Sequence, residues 1–128
     1  MFEEPRYVIR NVCNHFYDMP EHTIREETFC CGGGAGLGND ENMEMRLRGG
    51  LPRGSALKYV RDKHGVNMMA CICAIDRATL IPLAEYWSPG VDITGVHELV
   101  ANAMILDGEK ERTSNLRGEP LPGKGKRT

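Results

Sequence analysis

Residues 64–80 read HGVNMMACICAIDRATL and carry the clearest fold signal in the sequence. Within them, residues 66–73 form a nearly continuous apolar run of strand length, which predicts a strand buried on both faces. A helix is predicted to follow directly over residues 74–87. An earlier helix is predicted to start at Pro52 and to end at His64-Gly65, because a cation in the last turn followed by glycine is a common helix stop. This alternation of helix and strand indicates a parallel sheet covered by helices.

On the N-terminal side, residues 27–31 predict a second strand that runs straight into the glycine-rich turn 32–38, GGGAGLG. A first helix is predicted over residues 5–18, where apolar side chains fall close to helical spacing. Asn39 or Asp40 is expected to cap a further helix after the turn, since both residue types favour N-cap positions.

On the C-terminal side, a short strand is expected within residues 91–96 and a final helix over residues 97–106. Together these elements predict an α/β fold, with a small parallel sheet flanked by helices in a single domain over residues 1–106. Residues 107–128 are rich in Gly, Pro, Lys, Arg and Glu and have no periodicity, which predicts a disordered tail.

The charge of the chain is unevenly distributed. The net charge of −2 divides into −4 over residues 1–106 and +2 over residues 107–128. The negative charge of residues 1–106 argues against a nucleic-acid-binding face. We find neither a run of eighteen apolar residues nor a secretory signal, so we expect no direct membrane insertion and a cytoplasmic location.

Five cysteines are the unusual part of the composition. Disulfides are not expected in a cytoplasmic protein, so the pairs Cys30-Cys31 and Cys71/Cys73 point to metal or redox chemistry. Both predicted strands end in cysteines, and the carboxyl ends of parallel strands lie along one edge of a sheet. The two pairs are therefore predicted to converge, although 39 residues separate Cys31 from Cys71. The alternative is that these cysteines are buried as small apolar residues.

The glycine-rich turn matches neither the dinucleotide-binding pattern nor a phosphate-binding loop. Glycines directly after a cysteine pair suit a backbone that approaches an inorganic cluster and offers N–H donors to its sulfide. Gly32, Gly33, Gly34 and Gly36 are the predicted cofactor-binding positions, and a plain tight turn is the alternative. Zinc is a competing metal, but structural zinc sites favour two cysteines with two to four residues between them. A cluster of several irons accommodates adjacent thiolates more easily.

Residues 28–38, TFCCGGGAGLG, followed some forty residues later by ACICAID, resemble the cysteine-rich CCG module of the heterodisulfide reductase B subunit family. In that family five cysteines hold a non-cubane [4Fe–4S] cluster. Two further stretches, NMEMRLRGGLPRGSALKYV and HGVNMMACICAIDRATL, resemble most closely the K subunit of the sulfite-reductase-linked membrane complex. The resemblance covers roughly residues 4–106.

The resemblance implies a ligand set. Cys30 and Cys31 match the paired cluster cysteines, and Cys73 matches the first cysteine of a closing pair whose second position holds Asp76. Cys71 is expected to take the missing place, with an oxygen ligand from Asp76 as the alternative. We find no match for the first family cysteine, so we expect an upstream strand and cysteine to be missing. Cys13 is then a structural cysteine of the first helix, and a ligand role for it is the alternative.

The resemblance also implies a function, in which a redox module transfers electrons one at a time to or from a disulfide or thiol substrate in dissimilatory sulfur metabolism. The implied partners are subunits of a membrane-associated electron-transfer complex and a small sulfur-carrier protein, with the protein peripheral to the membrane. The chain by itself is expected to be inactive. Two other classes remain open: a non-catalytic docking domain with free thiols, and a zinc-stapled structural domain.

Overall fold

The structure, a computed structural model, describes residues 2–34, 37 and 39–105. Five α-helices and two β-strands alternate along this part of the chain, which confirms the predicted α/β class. Their bounds are α1 Glu3–Val12, α2 Met43–Gly49, α3 Leu51–His64, β1 Met68–Cys71, α4 Ala74–Trp87, β2 Asp92–Gly95 and α5 Val96–Ala103. Short 3₁₀ turns lie at Glu21–Thr23, Arg25–Glu27 and Asp40–Asn42. None of the helices in these ranges is long and apolar enough to cross a membrane.

The sheet consists of β1 and β2, which pair in parallel from Met68 opposite Asp92 to Cys71 opposite Gly95. Met69 and Cys71 are buried, whereas the Met68 side chain is 44% exposed. Alternate residues of a strand point to opposite faces, and the apolar core lies on the face of Met69 and Cys71. The prediction that this strand is buried on both faces is therefore wrong.

Helix α4 is the centre of the core. Its residues Leu80 and Leu83 are 2% and 1% exposed, and they pack with Leu57 of α3 and Ile93 of β2. Full burial of one leucine side chain contributes about 2 kcal/mol. The indole Nε1 of Trp87 donates to a carbonyl of α2 at 3.2 Å and so joins the far end of α4 to that helix. The predicted bounds of α4 are confirmed.

The predicted stop of α3 is also confirmed, because Gly65 adopts the left-handed conformation with φ of 67° directly after His64. The first helix ends earlier than predicted, at Val12 rather than residue 18. Asn14 and His15 follow it, and neither favours helix. The final helix ends at Ala103, short of the predicted residue 106. Gly36 and the predicted disordered tail lie outside the described residues.

The predicted strand over residues 27–31 is wrong. Arg25–Glu27 forms a 3₁₀ turn, and residues 28–31 belong to no helix or strand. The carbonyl of Phe29 instead accepts hydrogen bonds from the Arg53 guanidinium, at 3.1 Å from Nε and a shorter distance from Nη2. The Arg53 side chain thus bonds to a carbonyl that, in a strand, would accept a hydrogen bond from the backbone of a neighbouring strand.

Residues 30–34, called the thiol loop below, lie against helices α2 and α4. Gly32 has φ of 86°, and a Cβ on it would overlap the carbonyl oxygen of Arg46. A Cβ on Gly33 would overlap the side chain of Thr79, whose hydroxyl donates to backbone carbonyls one turn earlier in α4. Glycine at these two positions lets the loop backbone contact the helices directly, and this contact fixes the loop beside the first half of α4.

We predict that Gly33→Ala lowers the free energy of unfolding by about 1–3 kcal/mol, because the new methyl group overpacks against Thr79. Gly34→Ala is the matched control, since no described atom lies within 4 Å of a Cβ at that position. The control is expected to change stability by no more than about 0.5 kcal/mol. Urea unfolding of the 128-residue chain measures both, and equal losses in the two variants would contradict the packing described.

Candidate metal centre

Cys71 and Cys73 lie at the junction of β1 and α4. Cys71 is the last residue of the strand, is only 7% exposed, and donates its thiol hydrogen to the carbonyl of Thr94 in β2 at 3.3 Å. Burial is the main reason that the pKa of Cys71 is raised. Cys73 is exposed and is the N-cap residue of α4. One thiol therefore faces the core while the other, two residues later, faces solvent.

Cys30 and Cys31 belong to the thiol loop. The backbone N–H of Gly32 donates to the sulfur of Cys30 at 3.3 Å, and the N–H of Gly33 donates to the sulfur of Cys31 at 3.4 Å. Cys30 is exposed, whereas Cys31 is half-buried and packs against the core cluster that contains Cys71. The two glycines thus direct N–H groups to cysteine sulfur, whereas the predicted contact with the sulfide of a cluster stays a prediction.

Both cysteine pairs are connected to α4. Gly33 of the thiol loop contacts Thr79 of this helix, and Cys73 is its N-cap residue. Asp76, in the first turn, acts to raise the pKa of both Arg53 and Cys71. The two pairs reach α4 by different routes: Cys71 ends strand β1 just before the helix, whereas the thiol loop packs on helices. The predicted convergence of the four thiols stays a prediction.

The donor chemistry of this region suits an iron–sulfur cluster. Thiolates are the usual ligands, backbone N–H groups bond to sulfur, and the N-terminus of α4 favours negative charge. Within the described residues, however, no three His, Cys, Asp or Glu side chains are arranged to hold one metal ion. The residues fit the cluster by their donor chemistry, and the ligand set Cys30, Cys31, Cys71 and Cys73 stays a prediction.

Cys13 and Asp76 were the two alternatives for a further ligand. Cys13 is half-buried and directly follows α1, where its N–H donates to the carbonyl of Ile9 at 2.9 Å. Burial raises the pKa of the Cys13 thiol, so its neutral form is favoured. Asp76 is half-buried in α4, beside the cysteine pairs. Their roles as ligands stay predictions.

Three charged groups near the site were not predicted. Arg53 bonds to the carbonyl that precedes Cys30, and Arg77 forms an ion pair with Glu98 at 2.9 Å. Both Arg77 and Glu98 influence Cys71 electrostatically. An arginine on a helix has the same sequence signature whether it faces solvent or a site, so neither arginine could be recognised from the sequence. An open groove of about 780 Å³ between residues 18–23 and α3 contains none of the cysteines.

Comparison with known proteins identifies relatives of this chain. It is 54% identical over 125 residues to an Hdr-like menaquinol oxidoreductase iron–sulfur subunit of Archaeoglobus profundus. It is 50% identical over 125 residues to the Hdr-like menaquinol oxidoreductase iron–sulfur subunit 2 of Archaeoglobus fulgidus. No protein-family model matches the chain. No solved structure matches it.

The coverage of these matches is unequal. Each match includes 94% of this chain but only 22% of the relative, so the chain spans about a fifth of the length of the curated relatives. Over nearly its whole length the chain is similar to one segment of Hdr-like menaquinol oxidoreductase iron–sulfur subunits, and this similarity supports an Hdr-like family for it.

Proposed function

We propose that this chain is an iron–sulfur redox module of an Hdr-like oxidoreductase. Cys30, Cys31, Cys71 and Cys73 are the proposed ligands of a non-cubane [4Fe–4S] cluster, and the glycine-rich turn is its backbone cradle. The observation that carries the proposal is the packing of the thiol loop on the helix that begins at Cys73, with amide N–H groups directed to two of the four sulfurs. The names of the relatives, which are iron–sulfur subunits, support the same cofactor.

The burial of the four cysteines suits such a module. Cys31 and Cys71 lie on the core side, and Cys30 and Cys73 lie on the solvent side. A cofactor held between them has one dry side, where electrostatic interactions are strong, and one side open to a substrate. The N–H groups of Gly32 and Gly33 stabilise negative charge on sulfur and thereby raise the reduction potential.

The proposed reaction exchanges electrons between the cluster and a disulfide or thiol substrate. An iron–sulfur cluster supplies or accepts one electron at a time. Reduction of a disulfide breaks the S–S bond, takes up two electrons and two protons, and releases two thiols. A quinol, the class of reductant in the names of the relatives, releases two electrons and two protons on oxidation. The electrons and protons released by a quinol therefore equal those taken up by a disulfide, and the same equality holds for the reverse reaction.

The proposed partners are subunits of a membrane-associated electron-transfer complex. The relatives are named as subunits of a quinol oxidoreductase, and quinols are confined to membranes. We therefore propose a location peripheral to the membrane, reached through partner subunits, and a small sulfur-carrier protein as the thiol substrate. Dissimilatory sulfur metabolism is the proposed setting.

A docking domain with free thiols is the second candidate. It is favoured by one observation, that no three candidate ligands within the described residues are arranged to hold a metal ion. A zinc-stapled domain is the third, because the four cysteines of the two pairs are free thiols. The cofactor test below separates all three.

We predict that the aerobically purified chain carries free thiols, and that anaerobic incubation with iron and sulfide produces a broad visible absorbance. Iron and acid-labile sulfide are then expected in equal amounts, since both belong to the cluster. The measurement is elemental analysis together with a sulfide assay, before and after incubation. Uptake of one tightly bound zinc would favour the stapled domain, and no uptake of either metal would favour the docking domain.

We predict that Cys31→Ser abolishes the electron-paramagnetic signal of the cluster in the natural protein, while Cys13→Ser retains it. Cys31 lies in the thiol loop, whereas Cys13 follows α1 and is half-buried. Cys13→Ser is expected to cost roughly 1 kcal/mol of stability, because a hydroxyl replaces a buried thiol. Equal loss of signal in the two variants would make Cys13 a ligand, and an intact signal in Cys31→Ser would remove the proposed ligand set.

A further inference from the structure

Arg53 lies between the thiol loop and the first turn of α4. Its Nε donates to the carbonyl of Phe29 at 3.1 Å, and its Nη2 donates to the same oxygen. Phe29 directly precedes Cys30, so the guanidinium is bonded to the backbone at the start of the loop. Burial lowers the pKa of Arg53, while Asp76 and the thiolate forms of Cys31 and Cys30 act in the opposite direction. The arginine is thus half-buried and faces negative charge from both sides.

We infer that Arg53 is a positioning residue of the proposed metal centre, which fixes the thiol loop through the Phe29 carbonyl and supplies a positive charge beside Cys30 and Cys31. This inference rests on the proposed function, because the charge acts on a bound anionic cluster. The role differs from that of a ligand, since a guanidinium cannot bind the metal.

Guanidinium chemistry suits both parts of this role. Its planar fork donates two N–H groups to one carbonyl, which restrains the loop more firmly than a single donor does. Its charge does not titrate in the physiological range, so the site retains a cation at every relevant pH. A fixed cation in a partly buried position stabilises the more negative, reduced form of a cluster. The midpoint potential is therefore expected to be more positive with Arg53 than without it.

Other arginines near the loop do not share these features. Arg48 of α2 is 78% exposed and pairs with Glu44 one turn earlier, so solvent screens its charge. Arg46 is only 6% exposed, and its Nε has no acceptor among the described residues, but its contact with the loop is through its own backbone carbonyl. Arg48 is therefore the matched control for loss of one positive charge close to the site.

The first experiment tests whether Arg53 restrains the thiol loop in the cluster-free 128-residue chain. Amide hydrogen exchange at Gly32 and Gly33 is expected to accelerate about tenfold in Arg53→Gln, because the loop opens more often when its carbonyl restraint is removed. Arg53→Lys is expected to show part of this acceleration, because an ammonium group cannot reproduce the two parallel N–H donors of the guanidinium. Arg48→Gln is expected to exchange like the wild type. Circular dichroism confirms that each variant is folded.

The second experiment tests the charge in the natural protein loaded with its cluster. The midpoint potential of Arg53→Gln is expected to fall by the equivalent of about tenfold in the one-electron equilibrium constant, which is about 59 mV. Arg53→Lys keeps the charge and is expected to retain most of the wild-type potential, and Arg48→Gln is expected to retain all of it. Iron and sulfide contents are measured on the same samples.

The outcomes separate the inference from the proposed function. A wild-type protein that takes up no cluster overturns both the proposed function and the effect of the Arg53 charge on the potential. The exchange rates then still show whether Arg53 restrains the thiol loop. A loaded Arg53→Gln protein with unchanged potential overturns the charge role alone. Unchanged amide hydrogen exchange at Gly32 and Gly33 in Arg53→Gln overturns the claim that Arg53 restrains the thiol loop. A shift in Arg48→Gln equal to that in Arg53→Gln would show that any nearby charge suffices, which also overturns the inference.

Discussion

The direct contact between the thiol loop backbone and helices α2 and α4 is the constraint on which the site depends. It requires glycine at position 32, where φ is positive and the Arg46 carbonyl leaves no space for a side chain, and at position 33, where Thr79 fills that space. Thr79 is held by its own bonds to the α4 backbone, and α4 is anchored in the core by leucines. Loop, helix and strand β1 are therefore positioned as one unit, and a change at either glycine would affect all of them.

The same contact brings opposite charges together. Asp76 supplies negative charge in the first turn of α4, while Arg53 approaches from α3 and Arg77 directly follows Asp76 in the same turn. Arg77 is itself balanced by Glu98, which also accepts the N–H of Gly95 at the start of α5. The end of the sheet, the start of α5 and the cysteine region are thus joined by one set of polar contacts. Such a region tolerates an added anionic group better than an apolar core does.

The surface beside the exposed thiols is apolar. Ile72 lies between the two cysteines of the β1–α4 junction and is 70% exposed, and Ile75 in the first turn of α4 is 63% exposed. In the proposed redox module this side faces the substrate or a neighbouring subunit. The curated relatives are several times longer than this chain, and that additional length is compatible with a larger assembly.

The sequence by itself determined the elements whose signals are local. The bounds of α4, the stop of α3 at His64-Gly65 and the existence of β1 follow from apolar runs and a glycine cap, which act on neighbouring residues.

The tertiary structure alone decided how Cys30 and Cys31 reach α4, because residues 27–31 have strand-like composition but find no strand partner in the described chain, and Arg53 takes the Phe29 carbonyl instead. It also decided that Met68 is exposed and that Arg53 faces the site. These outcomes depend on contacts between residues distant in the chain, and no local pattern encodes which side of a strand or helix meets the core.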